Sequence, residues 1–101
     1  MATATSAEQQ AIAIDAYIKK HGGGYPAWYV GIAADPRDRL FVGHRVSEKR
    51  DAWIYQDCGD DATARRVEQA FLNAGCKGGG GGGDRDSRFV YAYKITFTTR
   101  E

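Results

Sequence analysis

From Arg88 to Thr98 the side chains alternate between two faces, and that pattern constrains what the rest of the chain can build. Phe89, Tyr91, Tyr93, Ile95 and Phe97 share one side; Val90, Ala92, Lys94 and Thr96 share the other. A period of two is the signature of a strand, and this one is long enough to be central in a sheet. Two further strands precede it. Ala27 to Ala33 puts Trp28, Val30 and Ile32 on one face and Tyr29, Gly31 and Ala33 on the other; in Trp53 to Cys58, Ile54 opposes Trp53 and Tyr55. A sheet buries its apolar faces only against other elements, so helices must cover these strands.

The intervening segments supply them. Ser6-Ala7-Glu8-Gln9 fits a capping box, with Ser6 capping and Gln9 reaching back. The helix it opens carries Ala11, Ile14, Tyr17 and Ile18 at helical spacing. It ends on Lys19, Lys20 and His21 before Gly22 to Gly24, as the helix dipole and glycine caps favour. A short helix is expected from Pro36 to about His44, although Leu40-Phe41-Val42 would also suit an extended chain. A third helix runs from Ala62 to Ala74 behind an aspartate cap at Asp60 or Asp61. Ala64, Val67, Ala70, Phe71 and Ala74 form its apolar stripe, and Gly75 is its C-cap. The expected fold class is α+β: a small, mainly antiparallel three-stranded sheet flanked by about three helices. All 101 residues form one domain. Within it, residues 1–24 are an N-terminal helical extension, 75–87 a glycine-rich loop and 88–98 the last strand.

Charge narrows the function classes. Fourteen basic and thirteen acidic side chains leave a net charge of +1, which excludes both a strongly basic nucleic-acid coat and an acidic DNA mimic. Local arginine clusters still suit phosphate contacts. Apolar runs fall short of the ~18 residues of a membrane span, and no secretory signal is visible, so cytoplasmic residence without a membrane partner is expected. Cys58 and Cys76 are too few and too far apart for a zinc site and read as buried free thiols.

One stretch points to chemistry. In Trp28-Tyr29-Val30-Gly31-Ile32-Ala33-Ala34-Asp35-Pro36-Arg37-Asp38-Arg39-Leu40, an aromatic strand enters a helix start, with His44 four residues beyond. Asp35 suits the N-cap, and Pro36 the first helical position, where its missing N–H costs nothing. The junction sets a strand tyrosine, a helix arginine and a histidine near one sheet edge.

Tyr29-Val30-Gly31, followed by Asp35 to Leu40 and His44, resembles the second half of the GIY-YIG nuclease motif. Ala64-Arg65-Arg66-Val67-Glu68-Gln69-Ala70-Phe71-Leu72 resembles the helix whose glutamate binds metal in that family. The resemblance covers roughly residues 27 to 74. It implies a domain that hydrolyses DNA phosphodiesters with one divalent cation, Mg2+ or Mn2+. Tyr29 would then sit by the attacking water, Arg39 would hold the scissile phosphate, Glu68 would ligate the metal and His44 would move protons or hold phosphate. Arg37, Arg45 and Arg65 are the candidate phosphate contacts.

The family's first strand, Gly-Ile-Tyr, should lie about ten residues before Tyr29. Lys19 to Pro26 stands there instead, a helix end and a glycine turn. We expect the C-terminal strand to fill the vacancy by pairing with residues 27 to 33, bringing Tyr91 or Tyr93 to the missing tyrosine's place. The alternative is a catalytically inactive fold of the same type that binds nucleic acid or a protein partner.

Each candidate also has a structural reading. The three tyrosines suit an aromatic sheet packed under a helix. Arg39 suits an ion pair with Asp35 or Asp38, His44 a cap, and Glu68 a bridge to Arg65. Gly78 to Gly83 do not form a P-loop, which needs a strand before it and Lys-Ser/Thr after it. They read as a linker that lets the last strand return, or as a loop of bare amides around an anion. Asp84, Arg85, Asp86 and Arg88 read as a solvated turn.

Overall fold

The structure, a computed structural model, describes residues 6–79 and 86–101. A helix α1 spans Ser6–His21, so Ser6 opens the helix; its side chain, with the capping role expected of it, lies outside the described part of the molecule. After a 3-10 turn at Tyr25–Ala27, strand β1 spans Trp28–Ala33. Helix α2, Pro36–Asp38, continues into a π-turn at Arg39–Gly43. Strand β2 (Trp53–Asp57), helix α3 (Asp61–Ala74) and strand β3 (Phe89–Lys94) complete the order.

The fold is α+β. Its sheet is antiparallel in the order β1-β3-β2, with the last strand in the centre. The expected pairing of the C-terminal strand with residues 27–33 is present: Tyr29 faces Tyr93, Val30 faces Ala92 and Gly31 faces Tyr91. The far edge of β1 is also covered. Val30 N–H donates to the Lys77 carbonyl and Lys77 N–H to the Trp28 carbonyl, both at 2.8 Å.

Period-two alternation splits the core in two. Trp28, Val30, Ile32, Val90 and Ala92 meet Ile14 and Ile18 of α1 and Ala64, Val67 and Phe71 of α3. On the other face Ala33, Tyr91 and Tyr93 pack under Leu40 and Val46. Each valine, leucine, isoleucine or phenylalanine among them contributes roughly 1.5–3 kcal/mol on full burial. Both expected aspartate caps form: Asp35 accepts from Asp38 N–H and Asp60 from Thr63 N–H. The two cysteines are free and buried. Among the described residues no helix is long and apolar enough to cross a membrane.

Three expectations need correction. The last strand stops at Lys94 instead of Thr98, because Thr96 and Thr99 close a turn on themselves. Thr99 N–H and hydroxyl both donate to the Thr96 carbonyl, and Thr96 N–H donates to the Thr99 hydroxyl, a local alternative to the ladder. Phe97 is therefore fully exposed rather than on the Tyr91 face. On α3, Ala70 and Ala74 are exposed and Glu68 is buried in their stead. The helix sets its Ala64–Val67–Phe71 line on the sheet, which turns Glu68 inward and leaves the alanines beside a groove between α1 and α3. The segment from Arg39 to Gly43, finally, is helical but π-wound.

Candidate active site

Arg39 is the junction of the site. Three clefts share it: one of about 240 Å³ toward Ala33, Asp35 and Ser87, one of about 410 Å³ toward Val42, His44 and Glu101, and between them a cavity of about 90 Å³. Tyr29, Gly31, Ile32, Arg39, Glu68, Gly79 and Tyr91 line that cavity. Five separate segments converge there: β1, the π-turn after α2, α3, the start of the glycine run at Gly79, and β3.

The π-turn explains why Arg39 and His44 share a cleft. His44 N–H donates to the Arg39 carbonyl at 2.8 Å, an i→i+5 bond. On an α-helix, residues five apart are offset by about 140° around the axis. The wider π-turn brings His44 round to the Arg39 side, the kind of local irregularity that clusters at functional sites.

His44 is buried, and its hydrogen bonds fix its tautomer. Nδ1 lies 2.6 Å from the Arg100 carbonyl, which only accepts, so Nδ1 carries the proton. Nε2 then accepts from the Tyr91 hydroxyl at 2.8 Å. Burial holds the His44 pKa below its ordinary value, with the nearby Arg39 charge acting the same way and the Arg100 carbonyl opposing. The ring is neutral at pH 7, as its acceptor role requires. Burial pushes the Tyr91 phenol up to about 12, while Arg39 at its oxygen acts to lower it. Arg39, Tyr91, His44 and the Arg100 carbonyl thus form one continuous chain of polar contacts.

Gly31 makes room for that chain. Tyr91 lies across the neighbouring strand, and a Cβ on Gly31 would meet its Oη at 2.5 Å and its Cζ at 2.6 Å. Tyr29 is held from the other side by near-parallel stacking on Tyr93, centroids 5.3 Å apart, and by the His44 ring at 4.7 Å. Glu68 is 5 % exposed at the cavity wall. Burial raises its pKa, and Arg65 one turn earlier partly offsets that.

Not every sequence candidate arrives. Tyr93 is on the right face, but its hydroxyl donates to the Arg100 carbonyl and the ring does not line the cavity. Arg37 turns to the opposite side of α2 and pairs with Glu48 at 2.9 Å. Arg45 is exposed at φ 57, just after the π-turn. Arg65 acts on Glu68 through its charge without lining the cavity. Gly78 fits tightly against the Val30 carbonyl and Leu72, and Gly79 borders Tyr29; residues 80–83 of the glycine run, with Asp84 and Arg85, lie outside the described residues. Gly31, Gly79, Asp38 and the Arg100 carbonyl also border the site, and of these the Arg100 carbonyl was not foreseen at all. Gly31 carried a sequence signal as a glycine inside a strand, Asp38 as a neighbour of Arg39 and Gly79 as part of the glycine run.

Among the described residues there is no cluster of three or more His, Cys, Asp or Glu side chains that could hold a metal. Glu68 is the one carboxylate on the cavity lining, so these side chains could give a hard divalent cation a single oxygen ligand and not a closed protein cage. Compared with protein-family models, with curated proteins and with solved structures, the chain matches none.

Proposed function

We propose that this protein is a GIY-YIG-like, divalent-metal-dependent endonuclease that hydrolyses DNA phosphodiester bonds. The observation that carries the reading is the convergence of Tyr29, Arg39, Glu68 and Tyr91 on one small cavity. Arg39 binds the phosphate, since a guanidinium fork matches its oxygens and neutralises charge that develops on them. The Tyr91 phenol is too weak an acid to ionise at neutral pH. It therefore works as a relay: as the water oxygen bonds to phosphorus, the phenol oxygen takes the water's proton while its own proton passes to His44 Nε2. The P–O bond to the departing deoxyribose oxygen breaks, that oxygen takes a proton from solvent, and the imidazolium returns its proton to solvent. The Arg100 carbonyl stabilises the imidazolium through Nδ1–H. Tyr29 orients the water at the cavity wall. Glu68 would hold the cation, which when bound would supply electrostatic stabilisation of the phosphate.

Plasmid relaxation with Mg2+ or Mn2+ tests this, with Arg39→Ala and Glu68→Gln beside the parent chain. Metal-dependent nicking in the parent, lost in both variants, is the expected result. Equal cutting by all three, or cutting undiminished by EDTA, refutes it. The burial of Glu68 favours the second reading, a silent nucleic-acid- or protein-binding module of the same type. Complete inactivity of the folded parent with either metal selects it.

A further inference from the structure

Beyond α2 from the cavity, the same sheet face carries a second group of side chains that the hydrolytic site does not use. Trp53 and Tyr55 on β2 stand nearly parallel, with centroids 6.0 Å apart and an angle of 12°. Phe41 closes on Trp53 edge to face at 5.0 Å, and Phe89 closes on Tyr55 at 6.0 Å. All four rings are half-buried. A guanidinium stands at each end: Arg37 lies 5.1 Å from the Phe41 ring and 5.9 Å from Trp53, and Arg88 lies 5.2 Å from Phe89. The loop bearing exposed Arg45, Lys49 and Arg50 is held against Trp53, whose indole N–H donates to the Glu48 carbonyl.

From this arrangement we infer that the Trp53–Tyr55–Phe89 row is a platform for the bases of single-stranded nucleic acid, with Arg37 and Arg88 on its phosphates. The chemistry fits because unpaired bases stack on aromatic faces whatever their sequence, while cations track the backbone. Duplex DNA hides those faces. Arg37 and Arg88 pair with Glu48 and Asp57, but both pairs are about half exposed. Such exposed pairs are weak and exchange readily for phosphate. The helix start gives continuity with the cavity, because Arg37 faces the platform and Arg39, two residues on, faces the hydrolytic site. One strand lying over α2 touches both. The proposal deepens the nuclease reading by naming its substrate class, and it rests on that reading only for the cleavage step, not for binding.

Binding in EDTA separates the two. A fluorescein-labelled single-stranded oligodeoxynucleotide and the blunt duplex of the same sequence are titrated by anisotropy and by tryptophan fluorescence. Trp28 is fully buried, so quenching reports Trp53. The single strand should bind at least about tenfold tighter than the duplex and quench the emission, with Tyr55→Ala weakening it roughly 5- to 150-fold. Arg37→Ala and Arg88→Ala, both at exposed positions, should each lower the salt slope by about one. These outcomes hold whether or not the protein cuts DNA, so inactivity with preserved binding refutes hydrolysis alone. Equal or tighter duplex binding, or an unmoved tryptophan signal, overturns the platform. Self-association abolished by the same variants also overturns it and assigns this face to a second copy of the chain.

Discussion

Replacing Gly31 by alanine tests the geometry on which the site depends. Gly31 sits in a regular strand and is not among the glycines with positive φ, so its backbone suits any residue. On entropy alone, Gly31→Ala should stabilise the protein by ~0.4–1 kcal/mol. The contact with Tyr91 predicts the opposite sign. An added Cβ would lie 2.5 Å from Oη, 2.6 Å from Cζ and 2.9 Å from Cε2 of a ring that is 1 % exposed and tied to His44. Forced overpacking of this kind costs ~1–3 kcal/mol, and tearing the phenol from His44 adds about 1 kcal/mol. Net of the backbone gain, destabilisation should be roughly 1–3 kcal/mol. In urea, with a slope of ~1–3 kcal/mol/M, the midpoint falls by about 1 M at unchanged slope. In a Tyr91→Leu background, which lacks all three clashing atoms, the same substitution should be neutral or stabilising. A Gly31→Ala protein as stable as the parent refutes the reasoning, as does an equal cost in both backgrounds.

Three further expectations concern the titratable groups. The lowered His44 pKa means that the unfolded chain takes up its proton first, so stability is full above pH 6.5 and falls as pH drops below it. Glu68 has the opposite sign: its raised folded pKa penalises the native state once pH rises through that value, and the penalty is absent below pH 4.5. Glu68→Gln should therefore unfold at higher urea than the parent at about pH 7.5 and lose that advantage near pH 4; equal midpoints at both pH values contradict the buried-carboxylate reading. Cys58 and Cys76, pushed by burial up to about 11, should resist a thiol reagent at about pH 8 until urea unfolds the chain. Labelling of either in the native protein contradicts their burial.

Much of this fold is local and therefore readable from the sequence. Alternation put Trp28, Val30 and Ile32 against the helices and Tyr29 and Ala33 on the other face, because side-chain direction in a strand depends only on residue parity. Asp35, Pro36 and Asp60 announced their helix starts because a cap is satisfied within four residues. The length of the last strand was not readable in the same way. Thr96 and Thr99 close on each other and send the tail back, where Arg100 N–H donates to the His44 carbonyl. Nothing near Thr96 encodes a partner so distant in sequence.

The tyrosines show most clearly where local pattern ends. Tyr91 and Tyr93 share a face and a residue type, so residue type and parity left both as candidates for the site. Register chose between them. Tyr93 falls opposite Tyr29, and their rings stack. Tyr91 falls opposite Gly31, the one β1 position where no side chain blocks a phenol from lying across the strand to the cavity. Likewise, the helical pattern placed Glu68 beside an apolar stripe, and only the packing of α3 on the sheet turned it inward. Residue types and faces are properties of neighbours in sequence; which of them meet is fixed by strand register and helix rotation, and these are set by packing of the whole domain.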